Sequence, residues 1–234
     1  MVLGGGLWLD YQPVSTLPAI LVLFMLATSG LALALPRARK RIAEKAEPVR
    51  FTPAARALCA AGFCNAVAHG ALYAYLSIHL EALGYGATII GMLWTLGVLA
   101  EIVVFFYLPQ LFRRVALSTI LVFSLASGVA RFLAIGWAAE MLWIVLLAQL
   151  LHAATFGSFH AASVAAVHRV FPEHAQARGQ AWFSGISYGA GAASGFVIAG
   201  WAWQGGGAQA AFSVSAMAAL AGALFAGRLK RAGL

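Results

Sequence analysis

Three side chains could carry chemistry in this sequence, and all three fall in stretches otherwise free of charge: Glu101, Arg131 and His152. A carboxyl group can take up and release a proton. A guanidinium matches a carboxylate through two parallel N–H bonds, and an imidazole can bond a solute or pass a proton on. Ionisable groups are costly at membrane depth, so those found there mark substrate or ion paths by default. The blander alternative is that Glu101 and Arg131, opposite in sign, neutralise one another. Their depths argue against a direct bridge. Measured from the basic end of each stretch, Glu101 lies about 10 Å deep and Arg131 about 22 Å at the helical rise per residue. Each then meets other partners and can face a hydrated cavity.

Further polar groups join them. His69 has Asn65 four residues before it and Tyr73 four residues after, a polar stripe on an otherwise apolar helix. Such a stripe can line a cavity or bond a neighbouring helix. His160 follows His152 by eight residues, about 80° round an α-helix, so the two are not expected on one stripe. His79, His168 and His174 fall near the ends of apolar stretches and read as interfacial. Trp8, Trp137, Trp143, Trp201 and Trp203 lie close to such ends, the pattern of an aromatic belt, whereas Trp94 and Trp182 are deeper and can line a pocket.

The elements that must hold these groups are membrane helices. Of 234 residues, 62% are hydrophobic and 9% charged, against about 25% charged in an ordinary soluble domain. That excludes a soluble globular domain, a disordered chain and a nucleic-acid-binding module, despite a net charge of +8. Seven apolar stretches are long enough to span: roughly 17–35, 57–80, 88–108, 116–136, 142–166, 180–202 and 209–227. Trp203-Gln204-Gly205-Gly206-Gly207 supplies the turn between the last two. Of the 15 basic residues, all but Arg131 fall in alternate loops or after the last span, and the opposite loops contain only Asp10, Glu81 and Glu140. The positive-inside rule makes the basic side cytoplasmic, with the N-terminus outside and the C-terminus inside.

Segment 36–56 is the one long hydrophilic linker, punctuated by Pro36, Pro48 and Pro53. It divides the chain into 1–50, with one span, and 51–234, with six. The expected fold is an all-α polytopic membrane bundle of about seven helices. The glycines of the sixth span form two GxxxG spacings, Gly185/Gly189 and Gly191/Gly195, which read as close helix packing. Cys59 and Cys64 make neither a disulfide framework nor a zinc site. No HExxH or GxSxG motif suggests a hydrolase, and the lysines are all at the cytoplasmic side, which excludes a retinal Schiff base. A haem held by His69 and His152 is a further alternative; otherwise no cofactor, metal or enzymatic activity is expected.

Taken together, these residues resemble the C-terminal half of a major facilitator superfamily transporter, of the phenylpropionate permease branch related to the lactose permease. The likeness is carried by Gly84-Tyr85, Gly91-Met92-Leu93-Trp94, Gly97-Val98-Leu99-Ala100-Glu101, Leu111-Phe112-Arg113-Arg114, Leu151-His152-Ala153-Ala154-Thr155-Phe156-Gly157 and His160-Ala161. The resemblance implies that residues 17–35 stand for the family's sixth helix and 36–56 for its central cytoplasmic loop. It puts Glu101, Arg131 and His152 on the eighth, ninth and tenth helices, which in lactose-permease-like symporters supply substrate-binding and proton-coupling groups. One departure is Thr155, where those symporters carry a further acid one turn after the histidine.

The expectation is proton-coupled import of a small carboxylic acid, aromatic by the resemblance alone, across an inner membrane by alternating access. Arg131, His152, His69, Tyr73 and Trp94 would bind the substrate; Glu101 and His152 would couple the proton. The partners implied are substrate, proton, lipid bilayer and a missing N-terminal half. The alternatives are a sugar–proton symporter of the lactose permease type and a non-transporting bundle subunit. The chain is expected to be a fragment or a truncated gene product. Reading the coding DNA upstream of Met1 checks this: five further spans in frame are expected.

Overall fold

The computed structural model describes residues 17–34 and 51–233. Among them there is no strand. Helix α1, Leu17–Ala34, lies in one compact unit, and the described residues from Phe51 onward form another. The N-terminal 16 residues and most of the 36–56 linker, with its basic cluster, lie outside the described residues.

The second unit contains six long helices. Helix α2, Pro53–Ala82, starts on Pro53, whose missing N–H costs nothing there, and Thr52 Oγ1 accepts the Ala55 N–H at 3.1 Å. His69 interrupts it, between segments Pro53–Ala68 and Gly70–Ala82. Helix α3, Ala87–Arg114, follows a turn that needs Gly84 at φ +89°. Helix α4 is Leu117–Ala138. Helix α5, Leu142–Val170, winds as a π-helix over Ala153–Ser158. Helix α6, residues 176–205, contains a second π stretch at Gly185–Gly191, and helix α7 is residues 208–227. The helical run breaks between α6 and α7 at Gly206 and Gly207. Gly207, at φ +61° and ψ −150°, has a backbone open to glycine and little else. Each of the seven apolar stretches read from the sequence coincides with a helix, and the break falls in the anticipated turn.

Neighbouring helices meet through small residues. The register of contacts makes α2 and α6 parallel: Gly191 sits on Phe63, Gly195 on Val67 and Gly70, and Tyr75 stacks on Trp203 at 4.5 Å. Helices α4 and α7 are antiparallel, Gly136 against Phe212 and Gly128 against Ala219. Helices α3 and α5 are parallel, Gly97 against His152 and Gly157 against Glu101. In lipid, such close approach replaces the hydrophobic drive that packs soluble helices. The GxxxG expectation therefore holds for Gly191/Gly195 but not for Gly185/Gly189, beside which a Cβ would meet nothing within 4 Å. Those two are set two residues off the Gly191/Gly195 face, about 200° round the helix, and turn away from the α2 contact.

The buried apolar residues form two separate clusters. One includes Leu72, Leu76, Phe132, Ile135 and Phe212; the other includes Leu58, Leu121, Phe159, Phe183 and Leu229. Between them, at one level on every contributing helix, lies a polar layer: Asn65 and His69 on α2, Arg131 on α4, and Gln149, His152 and Thr155 on α5. Only 11% of the most apolar window of α3 is buried, so Leu99, Ile102, Val103 and Phe106 face outward. His79, in the last turn of α2, is buried within the bundle, with Nε2 3.1 Å from the Ile135 carbonyl oxygen.

The glycine contacts set a stability difference. Gly70→Ala would drive a methyl group into the Gly195 backbone and should cost about 1–3 kcal/mol. Gly189→Ala meets open space and should change stability by no more than about 1 kcal/mol, in the stabilising direction. Unfolding of the detergent-solubilised chain measures both.

Candidate functional site

The polar layer is organised around a buried cation. The Arg131 side chain is fully buried, yet its three nitrogens meet only neutral acceptors. Nε donates to the Ala148 carbonyl at 2.7 Å, Nη1 to Thr155 Oγ1 at 2.9 Å and Nη2 to Gln149 Oε1 at 2.9 Å. All three acceptors belong to α5. Thr155 in turn donates to the His152 carbonyl at 3.4 Å. Among the described residues no carboxylate pairs with Arg131. Glu101 instead approaches His152, Oε1 to Nε2 at 3.0 Å, and both side chains are largely buried. The sequence expectation that Glu101 and Arg131 do not bridge directly is met, and α5 supplies the partners of each.

The π winding of α5 sets how its side chains line up. The rings of His152, Phe156 and His160 stack in sequence, at 5.4 Å with 4° between planes and then at 6.5 Å with 10°. This overturns the expectation that His152 and His160 lie on different stripes. In an α-helix eight residues overshoot two turns by about 80°. The i→i+5 bonding of a π stretch widens the turn, so residues four apart stay aligned. His160 Nδ1 then lies 2.8 Å from the Tyr188 hydroxyl, which joins the π stretch of α6 to the end of that stack.

Phe156 is the hub of an aromatic cluster. Besides the two histidines it meets His69 at 5.6 Å and Tyr73 at 6.3 Å, and Tyr73 stacks on Trp94 at 6.1 Å and 9°. Trp94 Nε1 donates to Ser77 Oγ at 3.0 Å. A cavity of about 50 Å³ opens beside this cluster, lined by Asn65, His69, Tyr73, Phe156, Tyr188 and Phe196 among others. His69 Nδ1 sits 2.8 Å from the Asn65 carbonyl oxygen. His69 Nε2, His152 Nδ1 and Gln149 Nε2 are buried without a protein partner among the described residues. Buried polar atoms are nearly always satisfied, so three unpaired ones in one layer suit a bound polar group. No group of three or more metal-ligating side chains occurs among the described residues.

A model of the MFS_1 like family matches residues 1–214. The chain belongs to that family. It is also similar to a protein named "Probable 3-phenylpropionic acid transporter", from Escherichia coli (strain K12), at 34% identity over 139 residues. Those residues are 58% of this chain and 36% of the relative, so the match spans little more than a third of that protein's length. No solved structure matches the chain. The resemblance drawn from sequence motifs thus holds, and the family's membrane-helix bundle is the fold observed.

Within this MFS_1 like bundle, all six residues expected at a site lie in one connected set. Glu101, His152 and His69 sit together, Tyr73 and Trp94 continue the set through Phe156, and Arg131 is reached through Thr155. Trp182 does not join them: it is exposed and meets Phe51 edge-on at 5.8 Å. Sequence reasoning missed Phe156, Gln149 and Tyr188. An aromatic residue four positions after an intramembrane histidine was a usable signal for Phe156. Nothing in the linear pattern pointed to Gln149 or Tyr188 as partners across helices.

The Arg131 contacts predict a chemical distinction at position 155. Thr155→Val removes the acceptor of a buried N–H and should cost about 1–3 kcal/mol, whereas Thr155→Ser keeps the hydroxyl and should cost much less. Denaturant titration in detergent would separate the two.

Proposed function

We propose that this chain forms the C-terminal half of a secondary transporter that carries a small carboxylic acid together with a proton. One observation carries the reading. Arg131, fully buried between two apolar clusters, has only neutral partners and stands in a layer with unpaired imidazole and amide nitrogens. A buried cation without a counter-charge is costly, and a carboxylate is the ligand that would relieve that cost. The guanidinium has five N–H groups, of which three are engaged by α5, so two remain for such a ligand.

In this mechanism Arg131 holds the substrate carboxylate and Gln149 Nε2 offers it a free N–H, while His69 and His152, whose other ring nitrogens face a carbonyl and a carboxylate, donate to it from their free nitrogens when the ring is protonated. Glu101 carries the proton, and the 3.0 Å contact with His152 gives the proton a second station. When the proton resides on the pair, the site holds more positive charge and favours an anion; when it leaves, repulsion by the carboxylate of Glu101 favours release. Binding of acid and proton thereby reinforce one another. Tyr73, Phe156 and Trp94 supply aromatic walls. They suit a ring-bearing acid, in keeping with the name of the Escherichia coli relative. The outward apolar face of α3 and the partial coverage of that relative support a second helical bundle as the missing N-terminal half. Alternating access would then occur by rocking of the two bundles about a midplane site. The one-sided distribution of basic residues supports a cytoplasmic C-terminus in an inner membrane.

The test is uptake by the complete transporter in proteoliposomes, with 3-phenylpropionate as probe. Arg131→Ala should raise the concentration for half-maximal uptake by at least about tenfold, the loss of a charge-assisted hydrogen bond. Glu101→Gln should abolish accumulation driven by a pH gradient while preserving exchange of internal for external substrate. Undiminished proton-driven accumulation in both variants would refute these roles.

A further inference from the structure

A second basic site lies outside the polar layer. A groove of about 540 Å³ runs between the first turns of α2 and the end of α7, lined by Pro53, Arg56, Ala57, Ala60, Phe225 and Arg228 together with Ala54. It shares no lining residue with the cavity beside His69. Arg56 and Arg228 are both exposed and both contribute to the groove. The Arg228 guanidinium lies over the Phe225 ring, 5.1 Å from its centroid, which orients the charge along the groove wall. No acidic residue lines the groove, and among the described residues neither arginine forms an ion pair.

Position specifies the ligand. Arg56 stands one turn inside the start of a spanning helix, and Arg228 follows the last residue of another. Both therefore sit at the level where hydrocarbon gives way to headgroups. Below them Ala57, Ala60 and Phe225 extend the groove toward the bilayer core as an apolar trough. We propose that this groove binds an anionic phospholipid, its phosphate held by Arg56 and Arg228 and the start of an acyl chain laid against the alanines and Phe225. Basic pockets between membrane helices take anionic headgroups in this way. A free phosphate would leave the trough unfilled. A zwitterionic lipid would set its cationic headgroup against two guanidiniums. The occupied groove would tie the start of α2 to the end of α7, the first and last helices of the bundle.

Native mass spectrometry of the purified 234-residue chain, titrated with phosphatidylglycerol, tests this. One lipid should bind in preference to phosphatidylcholine. Arg56→Gln with Arg228→Gln should weaken that binding by about 25-fold, about fivefold for each charge. Arg113→Gln with Arg169→Gln, which removes equal charge from other helix ends, should leave it unchanged. Circular dichroism confirms that both double variants keep their helix content, and Arg56→Lys alone should retain most of the affinity if the variant pair proves unstable. Equal weakening by the two double variants would assign the effect to surface charge in general and overturn the proposal. So would displacement of the lipid by an equal concentration of inorganic phosphate, or equal retention of phosphatidylcholine.

Discussion

The structure turns on the burial of one guanidinium. Placing Arg131 among apolar helices carries a desolvation penalty that its neutral partners offset only in part. What they do achieve is orientation. An arginine bonded through Nε, Nη1 and Nη2 to a single helix cannot swing toward another face, so α4 and α5 are held in one register by three hydrogen bonds. The polar layer exists because that anchor falls between the two apolar clusters, and the other polar groups collect where the packing is already interrupted.

Helix α5 bears the consequences. Its π stretch starts at Ala153, five residues after the Ala148 carbonyl that receives Arg131 Nε. The widened turn aligns His152, Phe156 and His160 and brings Gly157 against Glu101. That irregularity shapes the aromatic stack, and Thr155, within the same stretch, is one of the three acceptors of Arg131. The π stretch of α6 is joined to the end of that stack by the His160–Tyr188 contact.

The large features were legible because lipid imposes simple rules. Seven apolar stretches and a glycine turn at 203–207 could be read off, since a spanning helix must be long, apolar and internally bonded. The intramembrane residues were also legible, because Glu101, Arg131 and His152 contradict the composition around them. Partners were harder to read. Depth arithmetic separated Glu101 from Arg131 but could not deliver Glu101 to His152, since that pairing depends on α3 and α5 lying parallel and close through Gly97 and Gly157. The angular argument about His160 failed because it assumed uniform α-helical winding. The Gly185/Gly189 spacing misled for a simpler reason: it is two residues out of phase with Gly191/Gly195, about 200° round the helix, and α2 packs on only one of those faces.

Thr155 shows why the sequence departure matters physically. An acid at that position would stand within hydrogen-bond reach of Nη1, and the arginine's charge would be compensated inside the protein. A hydroxyl satisfies the N–H geometry while leaving the charge uncompensated. Glu101 is then the nearest internal source of compensation, and it is already engaged by His152. A layer built this way holds an arginine fixed by neutral bonds and a carboxyl–imidazole pair that can hold or lose a proton. Its net charge can change by one without any change in the arginine's contacts. Bonding that positions the cation is thereby separated from the charge that tunes it, which is the arrangement a site needs if an anion is to bind in one protonation state and leave in the other.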